Sequence, residues 1–462
     1  IDVSYTAADS NEIIFLDSVK NEVSDFKSAA SAISNGSVKA TITVNEANFF
    51  EGKDTEGTII NKVLIKVTKT NDDGTVVVTE YLPSGALASN SKFEVAEIVW
   101  SVDGDIHTAE ILFEDSADYV LSVEYVDYSD NDADITSADK DAVTKSYTSK
   151  PITVDKNAPV IEVVYDNNDA QNDNNYNANR TATITVTDHN FDARKVIVQT
   201  TANNILGKSV PVENYATYLK NSANWTYYAA DGSVVDANAD NIHKQAAKIT
   251  YSEDARYTFN ISCKDLAKNA SASYAADKFV VDKTKSENVT ITYSTPVLDK
   301  VIETLTFGFY KAEVTVTITA DDITSGVDYF EITYTKDDTS SDINTDTYTT
   351  EKLVPAANGK TFTATHVIPA NAKGTISVEV VDKAGNDTSK ADEKVIVIDN
   401  VSPAIDVSYT AADSNEIIFL DSVKNEVSNF KSAVSAISNG SIKATITVNE
   451  ANFFEGKDAE GT

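Results

Sequence analysis

"YVLSVEYVD" (119–127), "YTFNISCKD" (257–265) and "GTISVEVVD" (374–382) decide the reading of this chain. Each alternates apolar residues with others and stops at an aspartate. A period of two puts every second side chain on one face, the pattern of a half-buried strand. The inward positions align as Leu121/Phe259/Ile376, Val123/Ile261/Val378 and Tyr125/Cys263/Val380. Cys263 is the one cysteine of the chain. In this register it reads as a small buried apolar residue, and it excludes an internal disulfide framework.

The neighbourhoods of the three segments also match. Downstream come short strand-like runs, "KPITVD", "KFVVD" and "KVIVID", ending at Asp155, Asp282 and Asp399. Upstream come "KATITVN" (39–45), "RTATITVTD" (180–188) and "KAEVTVTIT" (311–319), each followed by a loop and the runs "NKVLIKV", "RKVIVQT" and "VDYFEITY". Many short strands with turn-rich connections predict antiparallel β-sandwiches in series. Boundaries fall at 1–155, 156–282 and 283–399. From residue 400 the first domain begins again. Residues 1–58 recur as 405–462, identical at 54 of 58 positions, which is a period of 404 residues. Such self-similarity marks a tandem array. The natural chain is expected to extend beyond both ends of this sequence.

The units resemble the tandem immunoglobulin-like domains of bacterial surface proteins. "VVDKAGN" (380–386) carries the Asp-x-Ala-Gly-Asn turn of those domains, with "CKDLAKN" (263–269) and "YVDYSDN" (125–131) as looser forms. "DSADYVL" (115–121) and "EDARYTF" (253–259) resemble the tyrosine-corner pattern, whereas Gly374 stands at that place in the third unit. Trp100 matches Trp225, and Ile106-His107 matches Ile242-His243. The resemblance implies an all-β fold of serial immunoglobulin-like sandwiches. It also implies an extracellular, cell-surface setting. Fold alone does not fix function.

One stretch departs from that pattern. "DSVKNEVSDFKSAASAISNG" (17–36) spaces Val19, Val23, Phe26, Ala30 and Ile33 by 4, 3, 4 and 3. This stripe predicts an inserted helix over 18–34, with Asp17 or Ser18 at its start and Gly36 at its end. The insert either joins two strands or packs on a neighbouring domain. The Asn-rich runs 166–180 and 337–347 read as polar loops.

The balance of 38 basic against 72 acidic residues gives a net charge of −34. Such a chain repels nucleic acid and anionic membrane and attracts cations. No apolar run is long enough to cross a bilayer, so no direct membrane insertion is expected. Nor is there a nucleophile elbow, phosphate loop or zinc-binding pair. The chain is read as a non-enzyme. Related surface sandwiches form Lys–Asn isopeptide crosslinks, for which Lys39, Lys311, Asn269 and Asn386 would be the candidates.

The domain junctions offer a different chemistry. In an immunoglobulin sandwich the loop after the second strand and the loop before the last meet the incoming linker. The first junction would gather Asp155, Asn157, Asp188, Asn190, Asp265 and Asn269, and the second Asp282, Asp321, Asp322, Asp382 and Asn386. These are hard oxygen ligands of the kind calcium takes. "VDKNAP" (154–159) is similar to the linkers of calcium-stiffened cadherin strings. The expectation is therefore a structural segment of a long extracellular bacterial fibre or stalk. It would attach to the cell wall or surface through regions outside the segment and project an adhesive tip. Two alternatives are a glycan- or host-binding adhesin, with Trp100 and Trp225 as stacking platforms, and a filament subunit with lateral self-association.

Overall fold

The computed structural model describes residues 1–9, 11–47, 49, 63–83, 92–127, 131–239, 241–294, 309–336, 349–370 and 372–449. The 337–347 loop reading lies outside these residues. The chain separates into two compact units, Ile1–Lys283 and Thr284–Thr462. Among the described residues, no sheet mixes strands from 1–155, 156–282 and 283–399.

Residues 160–281 show the architecture in its plainest form. One sheet runs, in spatial order, Val160–Tyr165, Arg180–Thr187, Lys244–Tyr251, Thr226–Tyr228 and Val234–Val235; the facing sheet runs Asn175–Tyr176, Tyr274–Val281, Ala255–Ser262 and Ile197–Asn203. Pairing is antiparallel except where Asn175–Tyr176 runs parallel to the last strand. The β-branched alternation of Arg180–Thr187 buries Ala182, Ile184 and Val186 against Phe259, Ile261 and Trp225. Residues 1–154 form a larger two-sheet sandwich, and 287–398 a further pair of sheets. Serial β-sandwiches are thus the fold.

The nine residues aligned as inward-facing are all at most 2% exposed. Cys263 is one of them, and burial pushes its thiol up to about 11. The thiolate is the reactive form. Iodoacetamide at pH 8 should therefore leave native Cys263 unmodified and alkylate it fully in denaturant, as read by intact mass. Rapid native labelling would contradict this packing.

Both tyrosine corners are formed. Tyr119 Oη donates to the Asp115 carbonyl at 3.0 Å, and Tyr257 Oη to the Glu253 carbonyl at 2.8 Å. At Gly374 the corner is replaced: an added Cβ would lie 2.3 Å from the Thr335 carbonyl oxygen and 2.8 Å from Cζ of Tyr334.

The inserted helix is not formed. Residues 17–36 instead hold the short strands Glu22–Val23 and Ser31–Ser34, joined by turns. Asp17 Oδ1 accepts the backbone N–H groups of Val19 and Asn21, both at 2.9 Å, and Lys20 sits at φ +64°. A left-handed residue stops a right-handed helix, and the aspartate offers the backbone an alternative partner. Val19 of the supposed stripe is 65% exposed, whereas Phe26 is buried through a different backbone path. A single turn of helical sense survives in the second copy, at Phe430–Ser432.

This insert is a packing surface. Ile14, Leu16 and Ile33 form one buried cluster with Leu266 and Ala267 of the second sandwich. Around it, Arg194 donates to the Lys20 carbonyl at 2.9 Å and to Asn21 Oδ1 at 2.7 Å. Lys268 lies 3.4 Å from Glu12 and 3.6 Å from Glu22. The first two sandwiches therefore share an apolar seam with a charged rim.

Candidate functional site

The turn after the penultimate strand is built the same way three times in this chain. Asp127, Asp265 and Asp382 each accept the backbone N–H and the side-chain amide of the asparagine four residues on, Asn131, Asn269 and Asn386, at 2.8–2.9 Å. The fourth residue turns left-handed where it is described, with Lys268 at φ +71° and Gly385 at +84°. The Asp–Asn clasp fixes the carboxylate before any ligand is considered.

At the first junction this clasp meets the linker. The Asp155 N–H donates to the Ser34 carbonyl of the first sandwich at 2.8 Å. From the second sandwich, Asn190 Nδ2 donates to Asp155 Oδ2 and Asn269 Nδ2 to the Asp155 carbonyl, both at 2.8 Å. Asp188, at the end of Arg180–Thr187, completes the group. Carboxylate oxygens of Asp155, Asp188 and Asp265 lie within 4.8 Å of one another. Their residues are only 5%, 7% and 1% exposed.

Three buried carboxylates so close cannot all stay charged at low cost. At an effective dielectric of ~20 each charged pair costs roughly 3 kcal/mol. Burial, then repulsion from Asp155 and Asp265, pushes Asp188 up to about 8. Burial likewise raises Asp265 to about 6, against the lowering effect of Asn269. Asp155 is raised as well, again chiefly by burial. The adjacent His189 is committed elsewhere. Its Nδ1–H donates to the Ile242 carbonyl at 2.7 Å, its Nε2 lies 3.9 Å from Asp118, and the pull of that carboxylate raises it to about 9.

Sequence reasoning therefore placed Asp155, Asp188 and Asp265 together. Beside them, Asn190 Nδ2 and Asn269 Nδ2 each donate to an aspartate, and Asn157 donates its backbone N–H to Asp155 Oδ1 at 3.1 Å. Of the other named residues, Asp282 is buried at the close of the first unit, its N–H on the Tyr176 carbonyl. Within the second unit, carboxylate oxygens of Asp322 and Asp382 lie within 4.8 Å. Asp321 does not share their role. Its carboxylate is spent on Thr361, Lys360 and Asn288, which hold it down at about 2.

The other named candidates are packed or paired, except Lys311, which is exposed. Trp225 is 5% exposed, donates to the Leu219 carbonyl at 2.8 Å and meets Phe191 edge-on, so it is no surface platform. Half-buried Trp100 packs edge-on to Phe49, on which His107 also stacks. Lys39 pairs with Glu110 at 2.8 Å, while Asn269 and Asn386 are held in their clasps. Among the described residues no helix is long and apolar enough to cross a membrane.

No family model matches this chain, and a search of curated proteins finds no match to it. The class rests on the molecule itself: serial β-sandwiches, the first two interlocked, with a buried acidic junction.

Proposed function

We propose that this chain is a structural segment of a long extracellular bacterial fibre or stalk, built by repetition of immunoglobulin-like sandwiches. It holds an adhesive or otherwise active tip away from the cell surface. The observation that carries this reading is what the 404-residue repeat preserves. The seam residues Glu12, Ile14, Leu16, Lys20, Asn21, Glu22 and Ile33 recur unchanged as Glu416, Ile418, Leu420, Lys424, Asn425, Glu426 and Ile437. The four substitutions fall elsewhere, at positions 25, 30, 38 and 55. A repeat that keeps its docking edge can be added or removed as a length unit. An interlocked pair resists bending better than free domains on a flexible linker.

The test is removal of one period from the full-length protein on its own cells. Surface reach, measured by atomic force microscopy, should fall by one step while adhesion per molecule stays constant. Adhesion falling with unchanged reach would favour binding repeats instead.

A further inference from the structure

We propose that Asp155, Asp188 and Asp265 together bind a hard divalent cation of the calcium type, locking the first two sandwiches at their junction. The proximity of the three acids is not the only ground. Asp188 is 93% buried, and its Oδ1 is sealed from solvent with no hydrogen-bond partner among the described residues. A buried acceptor without a donor is expensive, and native structures rarely leave one. This oxygen belongs to the residue that faces the other two carboxylates. The four oxygens of Asp155 and Asp265 each accept one N–H, from Asn157, Asn190 and, twice, Asn269. An ionised carboxylate has about four acceptor sites, so those bonds orient the groups and leave lone pairs over.

No side-chain cation supplies what is missing. Among the described residues none of the three aspartates has an ion-pair partner within 4.0 Å. His189 is held by Asp118 and the Ile242 carbonyl, and Lys156 Nζ by Ser37 Oγ at 3.0 Å. Asp72 adds a further negative charge nearby, felt by Asp155. An external cation answers both the repulsion and the orphan oxygen. All-oxygen ligation with fixed carboxylates suits calcium. Magnesium keeps most of its own water shell, and zinc prefers nitrogen and sulfur. Asn190 and Asn269 are then positioning residues, aiming Asp155 and Asp265. Asp155 comes from the linker and the other two from the second sandwich, so the bound ion restrains the angle between domains.

The inference rests on the junction geometry and is independent of the stalk reading. The test uses the whole 462-residue chain, stripped with EGTA and titrated with calcium chloride by calorimetry, beside Asp188→Asn and Asp265→Asn. Wild type should bind calcium with a Kd of ~0.1–1 mM, the range of extracellular modules. Each variant should lose one equivalent of binding. Asp188→Asn should also match or exceed wild type in melting temperature in EGTA, because the amide removes the repulsion, and should lose the part of the calcium-induced rise that this site supplies. A wild type that binds no calcium, or variants with undiminished stoichiometry, would overturn the site. Unchanged circular dichroism of either variant shows that loss of binding is not loss of fold.

Discussion

Phe26→Asp should cost the first sandwich about 4 kcal/mol, while Lys27→Asp, one residue on, should cost no more than ~0.5 kcal/mol. Phe26 is 4% exposed, stacked on Phe15 at 5.2 Å and edge-on to Tyr5 at 5.8 Å. The substitution removes that packing and leaves an unpaired carboxylate in its place. Lys150 Nζ, 5.8 Å over the ring, already donates to the Phe26 and Lys27 carbonyls. Lys27 is half-exposed and makes one loose ion pair with Asp141 at 3.4 Å. Such surface pairs contribute little. Chemical denaturation of the two variants, followed by fluorescence, decides the matter. Equal midpoints would mean that the insert does not pack.

Gly374→Ala should cost the third sandwich about 3 kcal/mol, although alanine is usually the mildest replacement. The obstacle is backbone, not a side chain that can swing aside: the new Cβ would meet the Thr335 carbonyl oxygen at 2.3 Å. Gly374 sits opposite Lys336 in the central pairing of its sheet, next to a register shift against Asp387–Ile398. Relief requires moving a strand. Tyr334 occupies the space that an outward tyrosine would need, so Gly374→Tyr should fare worse still. Thermal unfolding of the two variants beside wild type measures both losses. A melting temperature within a degree of wild type for Gly374→Ala would show that the strand yields freely.

The strands were legible because a period of two has few imitators. Leu121, Phe259 and Ile376, aligned by pattern alone, are all buried at the centre of their sheets. The failure at 17–36 has a specific cause. "DSVKN" (17–21) is the same five-residue clasp as "DLAKN" (265–269) and "DKAGN" (382–386), with aspartate first, asparagine fifth and a left-handed fourth residue. Read as a turn, it would have ruled out a helix start. The spacing of apolar residues could not do so, since it counts positions and ignores local hydrogen bonds. The clasp also accounts for the asparagines beside the acids. Aspartate and asparagine recur together because one holds the other. The seam left a fainter trace: Leu266 and Ala267, apolar residues in an otherwise polar turn, mark the face that meets Ile14 and Leu16. The orphan oxygen of Asp188 has no sequence signature, because it depends on which donors the fold fails to supply.

The near-identity of 2–45 and 406–449 bears on how the chain is made. Val38–Asn45 pairs with Asp2–Ala7 in the first sandwich, and Ile442–Asn449 pairs with Ala404–Ala411 in the same register. Either hairpin is chemically able to complete the strands of 101–113, since only Val38/Ile442 differs across the pairing residues. Synthesis from the N-terminus, at ~5–20 residues per second, separates the two by tens of seconds. On that schedule the 1–155 sandwich can close on its own hairpin before residues 404–449 are made. Refolding from denaturant presents both at once, so exchange of one hairpin for the other becomes a competing route that vectorial synthesis excludes.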